Sequence, residues 1–319
     1  MTAISRSASG KLILCGEHAV VYSQPAIAVP VDQVATSVKI FAKPLAEKGS
    51  VTILIPQIGM ESDLKNLPDS QPLKRSLAIL QEYFKVGHFP ACDIRISSTI
   101  PISSGLGSSA SLSVALIRAL SEFLGQDMDN EEINRVAFDL ERIHHGNPSG
   151  IDNTVITYAR PVYYVRGEEI EFIPLAKPMD LVIGCTGIRA STALSVAGVR
   201  ERWINQKLKY EEIFSTVGKL AKQIREGLQR GDFNYIGPLL TQNHELLKNM
   251  EVSCPELDEL VEVALNAGAF GAKLTGSGQG GNMLALVDAS AVDHVSDALT
   301  RAGAVSIIHT IIQPSKGAG

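Results

Sequence analysis

Short runs of apolar residues separated by turn formers fill the first hundred positions: Leu12 to Cys15, Ala19 to Tyr22, Ala26 to Val31, Val38 to Phe41, Val51 to Ile55 and Ile94 to Ile96. Ser23-Gln-Pro25 and Lys48-Gly-Ser50 punctuate them, so this part of the chain carries most of a sheet. One helix is expected within it, from about Pro72 to Phe84. The period then changes. Leu112, Leu116, Ile117, Leu120 and Leu124 recur at helical spacing and predict a helix near 107–124. A second helix near 130–145, a short one starting at 149–151 and a hairpin-like pair around 161–165 and 170–173 follow.

After Lys177-Pro-Met-Asp180 a new apolar strand starts, Leu181 to Cys185, and long helices come next at about 207–230, 233–249 and 256–267. Two late strands, Asn282 to Val287 and Val305 to Ile312, flank a helix at about 291–302. No internal repeat or low-complexity tract interrupts the pattern. It reads as two α+β domains with sheets backed by helices, divided into 1–178 and 179–319.

Length agrees, since 319 residues exceed what one core usually holds. The formal net charge of −5 leaves no basic field for nucleic acid or an anionic membrane. An anionic ligand must therefore be held by local geometry. The N-terminus lacks an apolar signal core and no run approaches the ~18 apolar residues of a membrane span, so a soluble, cytoplasmic protein is expected. Cys15, Cys92, Cys185 and Cys254 are scattered without C-x-x-C spacing, which argues against zinc and offers no disulfide framework.

The candidate chemistry sits in four clusters. In Pro101-Ile-Ser-Ser-Gly-Leu-Gly-Ser-Ser-Ala-Ser111, a Gly/Ser loop joins a strand-like run, Asp93 to Ser97, to the helix that starts near Gly107 or Ser108. Gly105 and Gly107 permit backbone angles and close approach that a Cβ forbids. A helix beginning there presents unpaired N–H groups and the positive end of its dipole to a phosphate. The serine hydroxyls could cap the helix, bond the phosphate or ligate a metal riding on it. Gly105-Leu-Gly-Ser-Ser-Ala110 also fits the dinucleotide fingerprint, but the strand that should follow the helix is missing. No Gly-Lys-Ser/Thr follows the glycines, so it is not a Walker A loop either.

Near the N-terminus stands Lys11-Leu-Ile-Leu-Cys-Gly-Glu-His18, a strand ending in a carboxylate and an imidazole at a turn; a solvated strand end is the bland alternative. The third cluster, Glu141-Arg-Ile-His-His-Gly-Asn-Pro-Ser-Gly-Ile-Asp152-Asn153, places Glu141 late in one helix and Asp152 in the first turn of the next. Two such carboxylates can serve as metal ligand and base. Asp152 could equally be a first-turn acid that favours the helix dipole. His144 and His145 are adjacent, face different ways on a helix, and read as structural. The fourth, Lys273-Leu-Thr-Gly-Ser-Gly-Gln-Gly-Gly-Asn282, precedes a strand, so no helix N-terminus is on offer and the dinucleotide reading fails again. Its glycines suit a backbone passing close to a ligand, or a tight structural crossing.

Taken in order, these four blocks resemble the signature segments of the GHMP small-molecule kinases. Gly16 to Tyr22, His145 to Asn153 and Ser191 to Val199 are similar to the mevalonate kinase branch of that family. The resemblance implies a two-domain fold, with an N-terminal domain like ribosomal protein S5 domain 2 and a ferredoxin-like C-terminal domain. It implies ATP and Mg²⁺ as cofactors, mevalonate as the small-molecule acceptor phosphorylated on its 5-hydroxyl, and leaves a homodimer open. By matching position, Ser103, Ser104, Gly105, Leu106, Gly107, Ser108 and Ser109 would hold the nucleotide phosphates, with Gly276, Ser277 and Gly278 closing over them. Ser109 and Glu141 would ligate Mg²⁺, and Glu17, His18 and Thr192 would bind the acceptor. Asp152 would take the hydroxyl proton, paired with Lys11 as the second catalytic residue.

A sibling kinase acting on phosphomevalonate, homoserine or a sugar is the nearest rival, and a non-catalytic ligand sensor on the same fold is the rival from another class. Three positions depart from the family pattern: Ser9 where proline is common, Gln279 where another glycine is usual, and Asn282 where cysteine is common. Gln279 puts the detail of the last loop's nucleotide contact in question.

Overall fold

A computed structural model describes residues 3–101, 105–145 and 148–314. Ser103, Ser104, Gly146, Asn147 and the side chains of His144 and His145 lie outside the described residues. In chain order the elements are β1 (Ile4–Cys15), β2 (Ala26–Ala42), β3 (Val51–Ile55), β4 (Met60–Asp63), α1 (Pro72–Tyr83), β5 (Cys92–Ser98), α2 (Ser108–Phe123), α3 (Asn130–His145) and α4 (Ile151–Tyr158). There follow β6 (Val162–Tyr164), β7 (Glu171–Phe172), β8 (Met179–Cys185), α5 (Thr192–Asn205), α6 (Lys207–Arg230), α7 (Phe233–Asn249), α8 (Pro255–Asn266), β9 (Gly271–Thr275), β10 (Asn282–Val287), α9 (Val292–Arg301) and β11 (Ser306–Ile312). The mixed α+β class expected from the pattern is what the chain adopts.

Two compact units share these elements, interleaved along the chain: of the described residues, 3–10, 34–101, 107–145 and 148–158 belong to the first, and 11–33, 105–106 and 159–314 to the second. In the first, the C-terminal part of β2 pairs antiparallel with β5, from Thr36 opposite Ser98 to Ala42 opposite Cys92. β5 pairs parallel with β3, and β3 antiparallel with β4. Helices α1 to α4 pack on one another here, α2 burying Val114, Leu116, Ile117 and Leu120. The Ser111 hydroxyl fastens the start of α2 to the sheet, donating to Ala8 O at 2.7 Å and accepting from Thr36 N–H at 3.2 Å.

The second unit is built on a four-stranded antiparallel sheet in the order β11-β8-β10-β9. Helices α7, α8 and α9 pack on it, and α6 on α7. β10 is buried at every position, as expected of a central strand covered on both faces. In the same unit the N-terminal part of β2 pairs with β6, and β6 with β7.

Two local expectations are corrected and two elements are added. Ala19–Tyr22 is a 3-10 turn, because Gly16 and His18 both take positive φ, +105° and +59°, and turn the chain before a strand can form. The runs 26–31 and 38–41 are one strand of 17 residues, continuous through Asp32-Gln33. Thr192–Asn205, which contains most of the segment Ser191 to Val199, is a helix, and Gly271–Thr275 is a strand ahead of the last glycine loop. Among the described residues no helix is long and apolar enough to cross a membrane.

Candidate active site

In the first unit, Gly107 takes the left-handed conformation, φ +77°, that opens α2 at Ser108. The first intrahelical bond runs from Ser111 N–H to Gly107 O at 2.9 Å, so the N–H groups of the residues before it have no partner within the helix. One hydroxyl of this turn, Ser109 Oγ, donates to Glu141 Oε2 at 2.9 Å. Ser113 Oγ, one turn further on, donates to the other carboxylate oxygen at 3.3 Å. Glu141 comes from the end of α3 and is buried, so these hydroxyls meet the need of a buried carboxylate for partners.

Half-buried Asp152 stands in the first turn of α4, where a carboxylate complements the helix dipole. The neighbouring residues fix that turn. Asn153 Nδ2 donates to Asn134 O at 3.2 Å on α3, and Thr154 Oγ1 to Gly150 O at 2.7 Å. A helix N-terminus beside a hydroxyl and a carboxylate is an arrangement able to receive an anion together with a hard cation.

The second unit gathers the other clusters. Lys11 is buried at the point where its N–H donates to Leu106 O at 3.0 Å. Two residues on, Ile13 brackets the Thr275 hydroxyl, donating to it at 3.2 Å and accepting from it at 2.9 Å. This ties the end of β1 to the end of β9 and to the glycine loop that follows. At the Gly16-Glu17-His18 turn, a Cβ on Gly16 would collide with Ala26, which reserves the position for glycine.

Glu17 and Lys273 form a fully buried ion pair through Glu17 Oε1, and the Lys273 ammonium also donates to Leu274 O at 2.6 Å. Glu17 Oε2 has no hydrogen-bond partner among the described residues. Burial pushes the Glu17 carboxyl above its ordinary range, opposed by Lys273 and more weakly by Lys11. Burial acts on His18 in the opposite sense and lowers it to about 4, so the ring is neutral at pH 7. Its Nε2 lies 3.1 Å from Ser277 O, and since a carbonyl only accepts, Nε2 carries the proton.

Ser277 is where α5 meets the glycine loop. Its carbonyl also accepts from Ser195 Oγ at 2.6 Å, and its hydroxyl lies 3.3 Å from Thr192 Oγ1, both on α5. Gly105, Ala190, Thr192, Thr275, Ser277, Gly278, Gly280 and Gly281 line a shallow pocket here. A Cβ on Gly278 would strike the Val252 carbonyl and one on Gly280 would strike Ile188, which is why the loop is so rich in glycine. Gln279 does not fill the pocket. Its side chain turns the other way, Nε2 donating to Glu251 O at 2.8 Å and Ser253 O at 3.2 Å. Asn282 is buried in β10, opposite Thr275 and Cys185.

Behind the pocket, buried His244 accepts from Leu274 N–H at Nδ1, 3.3 Å, and faces Asp258 Oδ1 with Nε2 at 3.1 Å. Burial holds this imidazole near 4 as well, opposed by the charge of Asp258 and reinforced by that of Lys273. The four cysteines are free, and no cluster of three or more His, Cys, Asp or Glu suited to a metal occurs among the described residues.

Of the anticipated residues, Gly107, Ser108, Ser109, Glu141 and Asp152 belong to the first unit; Lys11, Glu17, His18, Gly105, Leu106, Thr192, Gly276, Ser277 and Gly278 belong to the second. Sequence reading passed over Ser113, and gave no role to Lys273 or Ser195 although both lie in segments it singled out. Ser113 follows Ser109 at i+4, on the same helix face, which is a usable signal. Lys273, inside a buried strand, gives none.

Comparison with known proteins decides the family. The description "GHMP kinases N terminal domain" matches residues 72–160 and "GHMP kinases C terminal" matches 224–305. A mevalonate kinase of Thermococcus onnurineus is 35% identical over 96% of this chain and 95% of its own. The chain belongs to the GHMP kinase family. Another similar member, a mevalonate kinase of Methanothermobacter thermautotrophicus, is 36% identical over 93% of this chain and 94% of its own. Among solved structures, L. major mevalonate kinase in complex with R-mevalonate superposes with a TM-score of 0.84 at 32% identity, covering 98% of this chain and 97% of that one. This GHMP kinase thus has the two-domain fold that the resemblance implied, similar to that of the mevalonate kinases.

Proposed function

We propose that this GHMP kinase transfers the γ-phosphoryl group of ATP to the 5-hydroxyl of mevalonate, giving 5-phosphomevalonate and ADP. One observation carries the choice of acceptor: proteins named mevalonate kinase match at 32–36% identity along nearly the whole chain, one of them with R-mevalonate bound. The same reading makes it a cytoplasmic enzyme of isoprenoid, and so of lipid, metabolism. The family models end at residue 160 and begin again at 224, which supports a division near 178 and 179. A homodimer is part of the proposal, and its mass in solution tests it.

Phosphoryl transfer is mostly positioning and charge neutralisation, and the residues are assigned accordingly. The N-terminal turn of α2, from Gly107 to Ser109 with Ser103, Ser104, Gly105 and Leu106 before it, receives the phosphates. Gly276, Ser277 and Gly278 cover them. Ser109 and Glu141 would hold Mg²⁺, and a hydroxyl and a carboxylate 2.9 Å apart are the oxygen donors that ion prefers. When bound, it spreads the negative charge of the phosphates.

His18 and Thr192 contact the acceptor, and Glu17, one oxygen held by Lys273, supports them from within the unit. A neutral His18 that donates from Nε2 keeps a lone pair on Nδ1, suited to accept from an acceptor hydroxyl. Asp152 takes the proton of the 5-hydroxyl and Lys11 supplies positive charge at the reacting oxygen. A loose transition state needs only a weak base, because the alcohol loses its proton late.

A coupled ADP-release assay with mevalonate, phosphomevalonate, homoserine and galactose tests this reading. Turnover with mevalonate well above the others is expected. Preference for another alcohol would reassign the acceptor, and a blank against all four would return the chain to a ligand sensor.

A further inference from the structure

We infer that Gln279 is a positioning residue that holds the last glycine loop in shape for the nucleotide, in place of the flexibility another glycine would give. The inference rests on the proposed phosphate-covering role of Gly276, Ser277 and Gly278. Gln279 adopts φ +60°, a left-handed conformation that L residues avoid. Local backbone forces alone therefore favour glycine. What holds glutamine there is a set of three hydrogen bonds to one turn: its N–H to Val252 O at 2.8 Å, and its side-chain amide to Glu251 O at 2.8 Å and Ser253 O at 3.2 Å.

The turn that receives them is itself braced. Glu251 has φ +59°, and Arg202 of α5 donates to Met250 O at 2.9 Å and to Glu251 O at 3.4 Å. The same helix reaches the loop directly through Ser195 and Thr192 at Ser277. The loop is thus held on two sides. Ser277 is fixed to the first turns of α5, and Gln279 to a turn that the last part of α5 also grips.

Between these anchors lies Gly278, packed so closely on Val252 that no side chain fits. Releasing the Gln279 amide frees the second anchor while leaving the first. The loop's N–H groups would then be ordered only on binding, at the expense of affinity for the phosphates. Gln279 is exposed, so water competes for its partners and the effect is modest.

The chemistry allows a sharp test, because both partners are carbonyls and need a donor. Q279E keeps the size but removes the donor, and Q279K restores one. Nucleotide affinity is read twice, as KM for ATP in turnover and as the dissociation constant of ADP by calorimetry without acceptor, with melting temperatures alongside. The calorimetric arm is independent of which alcohol is phosphorylated, so a wrong acceptor would not be mistaken for failure here. Q279E is expected to raise both constants roughly 3- to 10-fold with little change in kcat, and Q279K to return them to within about 2-fold of the parent protein. Q279A read against Q279K gives the same contrast should Q279E not fold. Equal constants for the donor and non-donor variants, or a lowered melting temperature with unchanged ADP affinity, would overturn the inference.

Discussion

Lys273→Met removes the only positive charge hydrogen-bonded to Glu17 among the described side chains and leaves a carboxylate stranded in the interior. Both side chains are almost wholly inaccessible, 0% for Lys273 and 1% for Glu17, so water cannot take the place of the lost ammonium. The second oxygen of Glu17 already lacks a hydrogen-bond partner among the described residues. Breaking a buried pair in this way costs about 3–5 kcal/mol, which corresponds to roughly 6–15 °C in melting temperature for a chain of this size. The loss has a pH signature. Without Lys273 the folded-state pKa of Glu17 rises further above its unfolded value. Below the unfolded value both states are protonated and nothing is lost; as pH rises past it, the unfolded state ionises first and stability falls. The deficit of K273M, measured by circular dichroism melting, should therefore be larger at about pH 8 than at about pH 5. Replacing Glu17 as well, in K273M/E17L, removes the stranded charge and should recover most of the loss. A K273M protein melting within about 2 °C of the parent at both pH values would show that Glu17 is not a buried charge dependent on this partner.

Three further outcomes are expected. Asp152→Asn should lower turnover roughly 10²- to 10⁴-fold while ADP affinity in calorimetry stays near the parent value; near-normal turnover would remove Asp152 from the mechanism. Glu141→Ala should shift the Mg²⁺ titration of activity to higher concentration, and an unchanged curve would mean that another group holds the ion. His18 and His244 are each held near 4 in the folded state against an ordinary 6.5, so the unfolded chain binds protons that the folded one refuses as pH falls through that window. Stability should decline from about pH 6.5 toward pH 4, less steeply in His244→Gln, and an equal slope in that variant would exclude His244 as a contributor.

Much of this was legible in the sequence wherever a pattern was long or a residue was conformationally special. The period of α2, α3 and the helices from Lys207 onward fixes their ends to within a residue or two, because each buries a continuous apolar face. Gly107 announced the start of α2, since little else tolerates φ +77° at a helix entry. Short apolar runs were ambiguous. Ala19–Tyr22 has the composition of a strand, and the positive φ of Gly16 and of His18, the latter invisible in a string of letters, makes it a turn. The support of the site was the least legible part. Lys273 and Glu17 are 256 positions apart, Ser195 and Ser277 are 82, and no local period links them. The side chain of Gln279, suspect as an intruder, is directed away from the pocket by carbonyls that only the folded turn supplies.

The distance between Glu17 and Lys273 along the chain has a consequence for biosynthesis. At about 5–20 residues per second, a ribosome that has made Glu17 needs roughly 13–50 s to reach its counter-ion. The Thr275 hydroxyl that ties down Ile13 arrives just as late. Throughout that interval the apolar segment Leu12 to Cys15 lacks the tie to β9 that later holds Ile13. A nascent chain halted short of residue 273 would thus be prone to aggregation and dependent on chaperones, however well residues 34–101 and 107–158 had already collapsed.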